Sequence, residues 1–242
     1  MKKILIMLFA AIFCISGILL IKNELEKKAA RDSYEALQES MADSIQETEP
    51  IEAAPTPEMT EETEPAYQAP GFLNELMEEN SSVIGWMAIA DTNVNYPIVQ
   101  NKEDNEYFLH RDINGEESIS GSIYLDSNHD INARGLHTVY GHHMRDGSMF
   151  KDVSKFIDTD YMETHKSVTI YTDQRQIDLE PVYCYAAPAD GAFRNVIESP
   201  EDLKAFLYEK TGERINGDNI FVFVTCEYSH ENGRVYLICK ER

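Results

Sequence analysis

The sequence predicts a mainly β domain, a barrel or a sandwich, behind an apolar anchor and a polar spacer. Three observations predict it. From residue 71 onward, short runs rich in Val, Ile, Tyr, Phe and Thr recur with turn residues between them at near-regular spacing. Only a few stretches in that region place apolar residues at helical intervals. The first 70 residues have a different texture, one apolar run followed by acidic, proline-containing chain.

Residues 4–21, "ILIMLFAAIFCISGILLI", carry no charge. A run of this length is near the lower limit for a membrane-spanning helix, roughly 17–25 residues. A cleaved signal peptide is the rival, but its apolar core is usually about 7–15 residues and ends at a small-residue site. Lys22, Asn23 and Glu24 follow here instead, which favours an uncleaved single-pass anchor. Lys2 and Lys3 keep the amino terminus cytoplasmic and place the rest outside the cell membrane. Residues 22–48 mix Lys, Glu, Ala and Gln and continue the anchor as an exposed helix. Residues 49–70 are acidic and hold five of the nine prolines, so they lack the apolar surface to fold. The expected organisation is therefore an anchor over 1–21, an acidic Pro-rich extracellular linker over 22–70, and one folded domain over 71–242.

Within that domain, "GFLNELMEEN" places Phe72, Leu73, Leu76 and Met77 on one helical face. "VIGWMAIADTNVNYPIVQ" reads as two strands around an Asp-Thr-Asn turn. Strands are further expected at "GSIYLDS", "HTVYGHH", "SVTIYT", "QIDLEPVYCYAAP", "NIFVFVTC" and "RVYLICK". "GSMFKDVSKF" reads as a helix. "SPEDLKAFLYEKTGE" reads as another, with Ser199 as cap, Pro200 in the first turn and acids near the start.

The formal net charge is −22, with no basic stripe. Nucleic acid and anionic lipid surfaces are thereby poor partners, and the acid serves solubility. Of four cysteines, Cys14 lies in the apolar run, which leaves Cys184, Cys226 and Cys239 outside. An odd number in an exported domain means at least one unpaired thiol. Cys184 and Cys239 sit within apolar strands and read as core.

Cys226 ends a strand eight positions before Arg234. A nucleophilic thiol needs a cationic or proton-accepting neighbour. His142 and His143 close a strand upstream, and Arg234 opens the strand that follows Cys226. If the last two strands form an antiparallel hairpin, Cys226 and Arg234 flank its loop. Read singly, each has a plainer alternative: Cys226 as a buried hydrophobe or half of a disulfide, the histidines as a solvated strand end, Arg234 as a surface charge. His129, His137, His142 and His143 raise a metal reading, but their spacing does not match a usual zinc pattern.

Four ordered segments carry a resemblance. "Thr225-Cys226 … Arg234", "YGHHMRDGSMFKDV", "YFLHRDINGEESISGSIYLD" and "VIGWMAIADTNVNYPIVQ" together resemble the sortases, and among them the class B branch. The resemblance covers essentially all of 71–242. It implies a closed eight-stranded sortase-type β-barrel with amino-terminal helices and a helix before the cysteine strand. It further implies a cysteine transpeptidase in which Cys226 is the nucleophile, His142 the catalytic histidine and Arg234 the catalytic arginine. Tyr140, Thr225, Val224 and Glu227 are weaker substrate-contact candidates, and His143 receives no role.

The reaction so implied cleaves a sorting motif after Thr in secreted proteins, passes through a thioacyl intermediate and transfers the acyl group to a peptidoglycan precursor amine. No metal and no cofactor is required. A pilin-polymerising sortase, an exported cysteine peptidase using water, and a non-catalytic anchored binding module are the alternatives. One departure bears on specificity. The family commonly reads Thr-Leu-Ser-Thr-Cys where this chain has Val222-Phe223-Val224-Thr225-Cys226, so Val224 replaces a hydroxyl.

Overall fold

The computed structural model describes residues 2–48, 67–188, 199–212, 214–227 and 233–242. It contains eight strands: β1 (Val83–Ile89), β2 (Asn95–Val99), β3 (Ile123–Leu125), β4 (Leu136–Tyr140), β5 (Val168–Tyr171), β6 (Gln176–Pro188), β7 (Ile220–Glu227) and β8 (Gly233–Glu241). They close into a barrel in the order β1-β2-β3-β4-β7-β8-β6-β5. Two neighbouring pairs, β2 with β3 and β4 with β7, are parallel, and the rest are antiparallel.

Closure divides each strand into two faces because successive side chains point to opposite sides. On β7, Phe221 and Phe223 enter the barrel core with Val139, Val235, Leu237 and Cys239. Val222 and Val224 belong to an outer cluster with Tyr236, Ile238, Leu203 and Leu207. Leu203 and Leu207 come from α4 (Pro200–Thr211), the helix that precedes β7 and covers its outer face. Ser199 caps α4 by accepting from the Asp202 backbone N–H at 3.2 Å. Strand positions of one parity therefore fill the barrel, and those of the other form a surface beside α4.

At the amino-terminal side, α1 (Lys2–Thr48) is one continuous helix and α2 (Gly71–Glu79) packs beside it. The expected helix over 22–48 is present, but it is not exposed on every side. Tyr34 and Met41 are buried, Gln38 donates to Asn95 O at 2.8 Å, and the Phe72 N–H donates to Ser44 Oγ at 2.9 Å. Their spacing of three and four places them on one stripe, which lies against the barrel. Upstream there is no such partner surface: from Ile6 to Ile21 the described large apolar side chains are 51–80% exposed. Among the described residues no helix is long and apolar enough to cross a membrane. The side chains of residues 2–5 and 8 lie outside the described set.

Two elements depart from expectation. "GSMFKDVSKF" forms no α-helix; a 3-10 helix starts only at Asp152 and ends at Ile157. Gly147 at φ +96° and Met149 at φ +57° are incompatible with helix at those positions. A short helix, α3 (Thr159–Thr164), follows where none was expected, capped by Asp158 accepting from the N–H groups of Asp160 and Tyr161.

Candidate active site

Cys226 and Arg234 are direct partners in the β7–β8 ladder. Opposed antiparallel residues carry their Cβ atoms about 4.5–5.5 Å apart on one face. By parity that face is the outer one, shared with Val224 and Tyr236. Across the other edge of β7, Tyr140 is registered with Val224, and Gly141 N–H donates to Val224 O at 3.1 Å. In a parallel pair the next same-face positions are two residues on, which are His142 and Cys226. The β4–β7 pairing ends at Tyr140 and Val224; carried two residues further, it sets His142 beside Cys226, so that His142, Cys226 and Arg234 form a row with the thiol in the middle.

Gly141 permits this row. A Cβ there would stand 2.7 Å from the Phe150 ring, so any side chain would push His142 off the end of β4. His142 itself is half-buried, with Nε2 at 2.7 Å from Leu109 O and its ring stacked on His110 at 5.4 Å and 27°. Burial pushes its pKa down; the charges of His110 and Arg234 act in the same direction, and the Leu109 hydrogen bond opposes them.

Three thiols are free beyond the apolar run. Cys239 is fully buried, and desolvation holds its pKa well above the ordinary thiol value. Burial likewise pushes Cys184 up to about 12. Neither forms thiolate near neutral pH; Cys239 lies in the barrel core, and the half-buried Cys184 packs against it. Cys226 is half-buried, as Cys184 is, but Cys226 is the thiol in the row.

No family model matches the chain. Over 178 residues it is 31% identical to sortase B of Listeria monocytogenes, an alignment that covers 68% of this chain and 72% of that protein. The chain belongs to the sortase B family. A second sortase B, from Staphylococcus aureus, is 26% identical over 245 residues, covering 96% of this chain and 93% of the relative. The barrel also superposes on a structure described as a Staphylococcus aureus sortase B–substrate complex, with TM-score 0.71 and 25% identity over 90% of this chain and 98% of that one. Sortase B of Clostridium perfringens gives TM-score 0.62 and 29% identity over 70% and 98%. This sortase is accordingly a cysteine transpeptidase, and its closed eight-stranded barrel with amino-terminal helices is the one the resemblance implied.

The weaker candidates distribute unevenly around the row of the sortase. Tyr140 is half-buried, donates to Asp126 Oδ2 at 3.1 Å and stacks on Tyr124. Val224 is buried in the outer cluster, beside its ladder partner Tyr236. Thr225 has the opposite parity and turns into the barrel, where its buried Oγ1 has no hydrogen-bond partner among the described residues. The side chain of Glu227 and residues 228–232, which lead back to β8, lie outside the described residues.

Sequence reasoning gave His143 no role, yet it touches the backbone of Cys226. Its Nδ1 lies 2.9 Å from Cys226 O, and Lys151 Nζ lies 2.6 Å from its Nε2. A carbonyl only accepts, so Nδ1–H is the donor, and Nε2 then accepts from the lysine. This Lys151–His143–Cys226 strut ties the turn after β4 to the end of β7. A lysine eight residues after a histidine has no sequence signature that could have revealed it.

Proposed function

We propose that Cys226, His142 and Arg234 are the catalytic residues of this sortase, and that it joins secreted proteins to an amine of the cell wall. The observation that carries the reading is the row His142–Cys226–Arg234, set by the pairings Tyr140 with Val224 and Cys226 with Arg234.

The Cys226 thiolate attacks the Thr carbonyl carbon of a sorting motif near the carboxyl end of the substrate. The tetrahedral oxyanion forms beside the Arg234 guanidinium, which stays charged throughout the working range. Imidazolium His142 gives its proton to the leaving amine as the C–N bond breaks, and a thioester remains on Cys226. Neutral His142 then takes a proton from the incoming amine, the amine attacks the thioester, and thiolate Cys226 leaves. No redox or metal step enters. Asn-Pro-Gln-Thr-Asn-like motifs are the first class to test, with Leu-Pro-x-Thr-Gly-like motifs as the comparison.

Residues 1–21 act as a membrane anchor, 22–70 as the segment joining it to the domain, and 71–242 as the catalytic domain outside the cell. The uncharged run over 4–21 and the solvent-facing apolar side chains from Ile6 to Ile21 support the anchor. Anchored enzyme and membrane-carried substrates share one surface, which raises their effective concentration. The test is the full chain in detergent micelles with a fluorogenic Asn-Pro-Gln-Thr-Asn peptide and an added oligoglycine amine. Cleavage after Thr with amide formation to the amine is expected; hydrolysis alone at every amine concentration contradicts transpeptidation to that acceptor.

A further inference from the structure

A histidine that moves protons must be held, because the outer torsion of its side chain is soft and its two nitrogens are chemically distinct. Among the described residues of this sortase, the hold comes from the 3-10 turn Tyr107–His110. The Leu109 carbonyl lies 2.7 Å from His142 Nε2, and the next residue, His110, lays its ring on the His142 ring at 5.4 Å and 27°. A carbonyl oxygen cannot donate, so His142 carries a proton on Nε2 in both its neutral and charged forms. Its exchangeable proton is therefore the one on Nδ1.

We infer that His110 is a positioning residue of the transpeptidase reaction: stacked on His142 beside the Leu109 carbonyl, it fixes the ring plane and the Nε2–H tautomer, so that Nδ1 is the atom that gives and takes the proton. The inference rests on His142 being the proton-transfer group, as proposed above. Among the described residues, the charged or titratable neighbours acting on His142 are His110 from the turn and Arg234 from β8. Both disfavour a second positive charge on the row, which helps return the ring to the neutral form that the amine step requires.

The turn is itself held from behind. Ser122 N–H donates to Phe108 O at 3.1 Å, and the Tyr107 and Phe108 rings meet edge to face at 4.9 Å. Gly121, at φ +57°, lies so close that a Cβ would collide with Leu109 O. Tyr34 of α1 donates to Gly121 O at 3.0 Å. A continuous set of contacts therefore runs from α1 through Gly121 and Leu109 to His142.

His110 is exposed and also lines a groove of about 770 Å³ between α1 and residues 104–119, so substrate contact is the rival role. The full chain, labelled with ¹⁵N-histidine in detergent micelles, separates the two. Long-range ¹H–¹⁵N spectra should show His142 as the Nε2–H tautomer in the parent and as a tautomer mixture in His110→Ala. With the fluorogenic Asn-Pro-Gln-Thr-Asn peptide, His110→Ala should lower kcat roughly tenfold at unchanged KM, a part of the 10²–10⁴ that general acid–base catalysis contributes. His110→Phe, which keeps a ring in the stack, should restore most of kcat and the parent spectrum. A parent His142 in the Nδ1–H form, or a His110→Ala chain with unchanged tautomer, overturns the inference. So does a rise in KM alone, which makes His110 a substrate contact. The spectra need no turnover, so they decide the matter even if the parent leaves the peptide uncut. Cleavage by Cys226→Ala, by contrast, would overturn the catalytic assignment and leave the tautomer result standing.

Discussion

Arg234 faces Cys226 across the β7–β8 ladder, so the guanidinium and the thiol are placed by strand register rather than by loop conformation. Each neighbouring pair in the ladder, Thr225 with Val235 and Val224 with Tyr236, is held on the barrel core or on the outer cluster. A one-residue slip would turn Cys226 into the barrel and expose Thr225. The register that packs Phe221 and Phe223 is thus the register that sets the site.

Removing the arginine should therefore cost catalysis and spare the fold. Arg234→Ala is expected to lower kcat/KM by about 10²–10³, the usual loss for one oxyanion donor. Arg234→Lys should recover part of it, because it keeps charge without the planar fork. Unchanged kcat/KM in both variants, with thermal unfolding as in the parent, would remove Arg234 from the reaction.

The His142 titration tests the same neighbour spectroscopically. Burial is the main cause of its lowered pKa, and the Arg234 charge adds to it. Arg234→Gln should move the His142 pKa upward, toward the ordinary histidine value, while leaving the burial contribution in place. A pKa that is unmoved or lower in Arg234→Gln would place the guanidinium too far away to act.

The strut through His143 predicts a coupled pair. His143→Ala should weaken the hold on the Cys226 carbonyl and reduce kcat by about tenfold, without the complete loss expected for His142→Ala. Lys151→Met should have a similar effect, and the double variant should be little worse than either single one. Additive losses would show that lysine and histidine act separately.

Thiol chemistry separates the three described barrel cysteines. Burial raises the pKa of Cys184 and Cys239, so iodoacetamide at pH 7.5 should alkylate Cys226 first. Peptide mass spectrometry reads the order directly. Labelling of Cys184 ahead of Cys226 in the folded chain contradicts the assignment.

A buried histidine away from the row governs acid stability. His137 stacks on Phe221, shares a 2.8 Å hydrogen bond with Asn219 Oδ1, and is lowered by burial to about 4. Its unfolded value is near 6.5, so between those values the unfolded chain binds the extra proton and the folded state loses ground as pH falls. Stability is full above about pH 6.5, and the loss amounts to about 3 kcal/mol by pH 4. Urea unfolding at pH 7 and pH 4.5 should show the loss, and His137→Gln should flatten it. An equal slope in both chains would assign the acid sensitivity to other groups.

Much of this was legible because strands announce themselves by residue type and alternation. β6 begins and ends where the run "QIDLEPVYCYAAP" does, and the α4 cap was readable from Ser199, Pro200 and Asp202. The packing of α1 was legible in principle, since Tyr34, Leu37, Met41 and Ile45 keep helical spacing within a polar stretch. Charge density around them hid it. The hold on His142 was not legible at all: a carbonyl such as Leu109 O has no residue signature, and only the fold brings it within 2.7 Å. His110 lies in the run Tyr107–His110 ahead of β3, but its stacking depends on the Gly121 turn beside it.

Whether Cys226 carries the acyl group is read directly by peptide mass spectrometry. The full chain is incubated with the Asn-Pro-Gln-Thr-Asn and Leu-Pro-x-Thr-Gly peptides, quenched in acid and digested. A thioester-linked fragment ending in Thr is expected on Cys226, lost on adding an amine and never seen in Cys226→Ala. Turnover of either peptide by Cys226→Ala at the parent rate, or an acyl adduct on another residue, would contradict it.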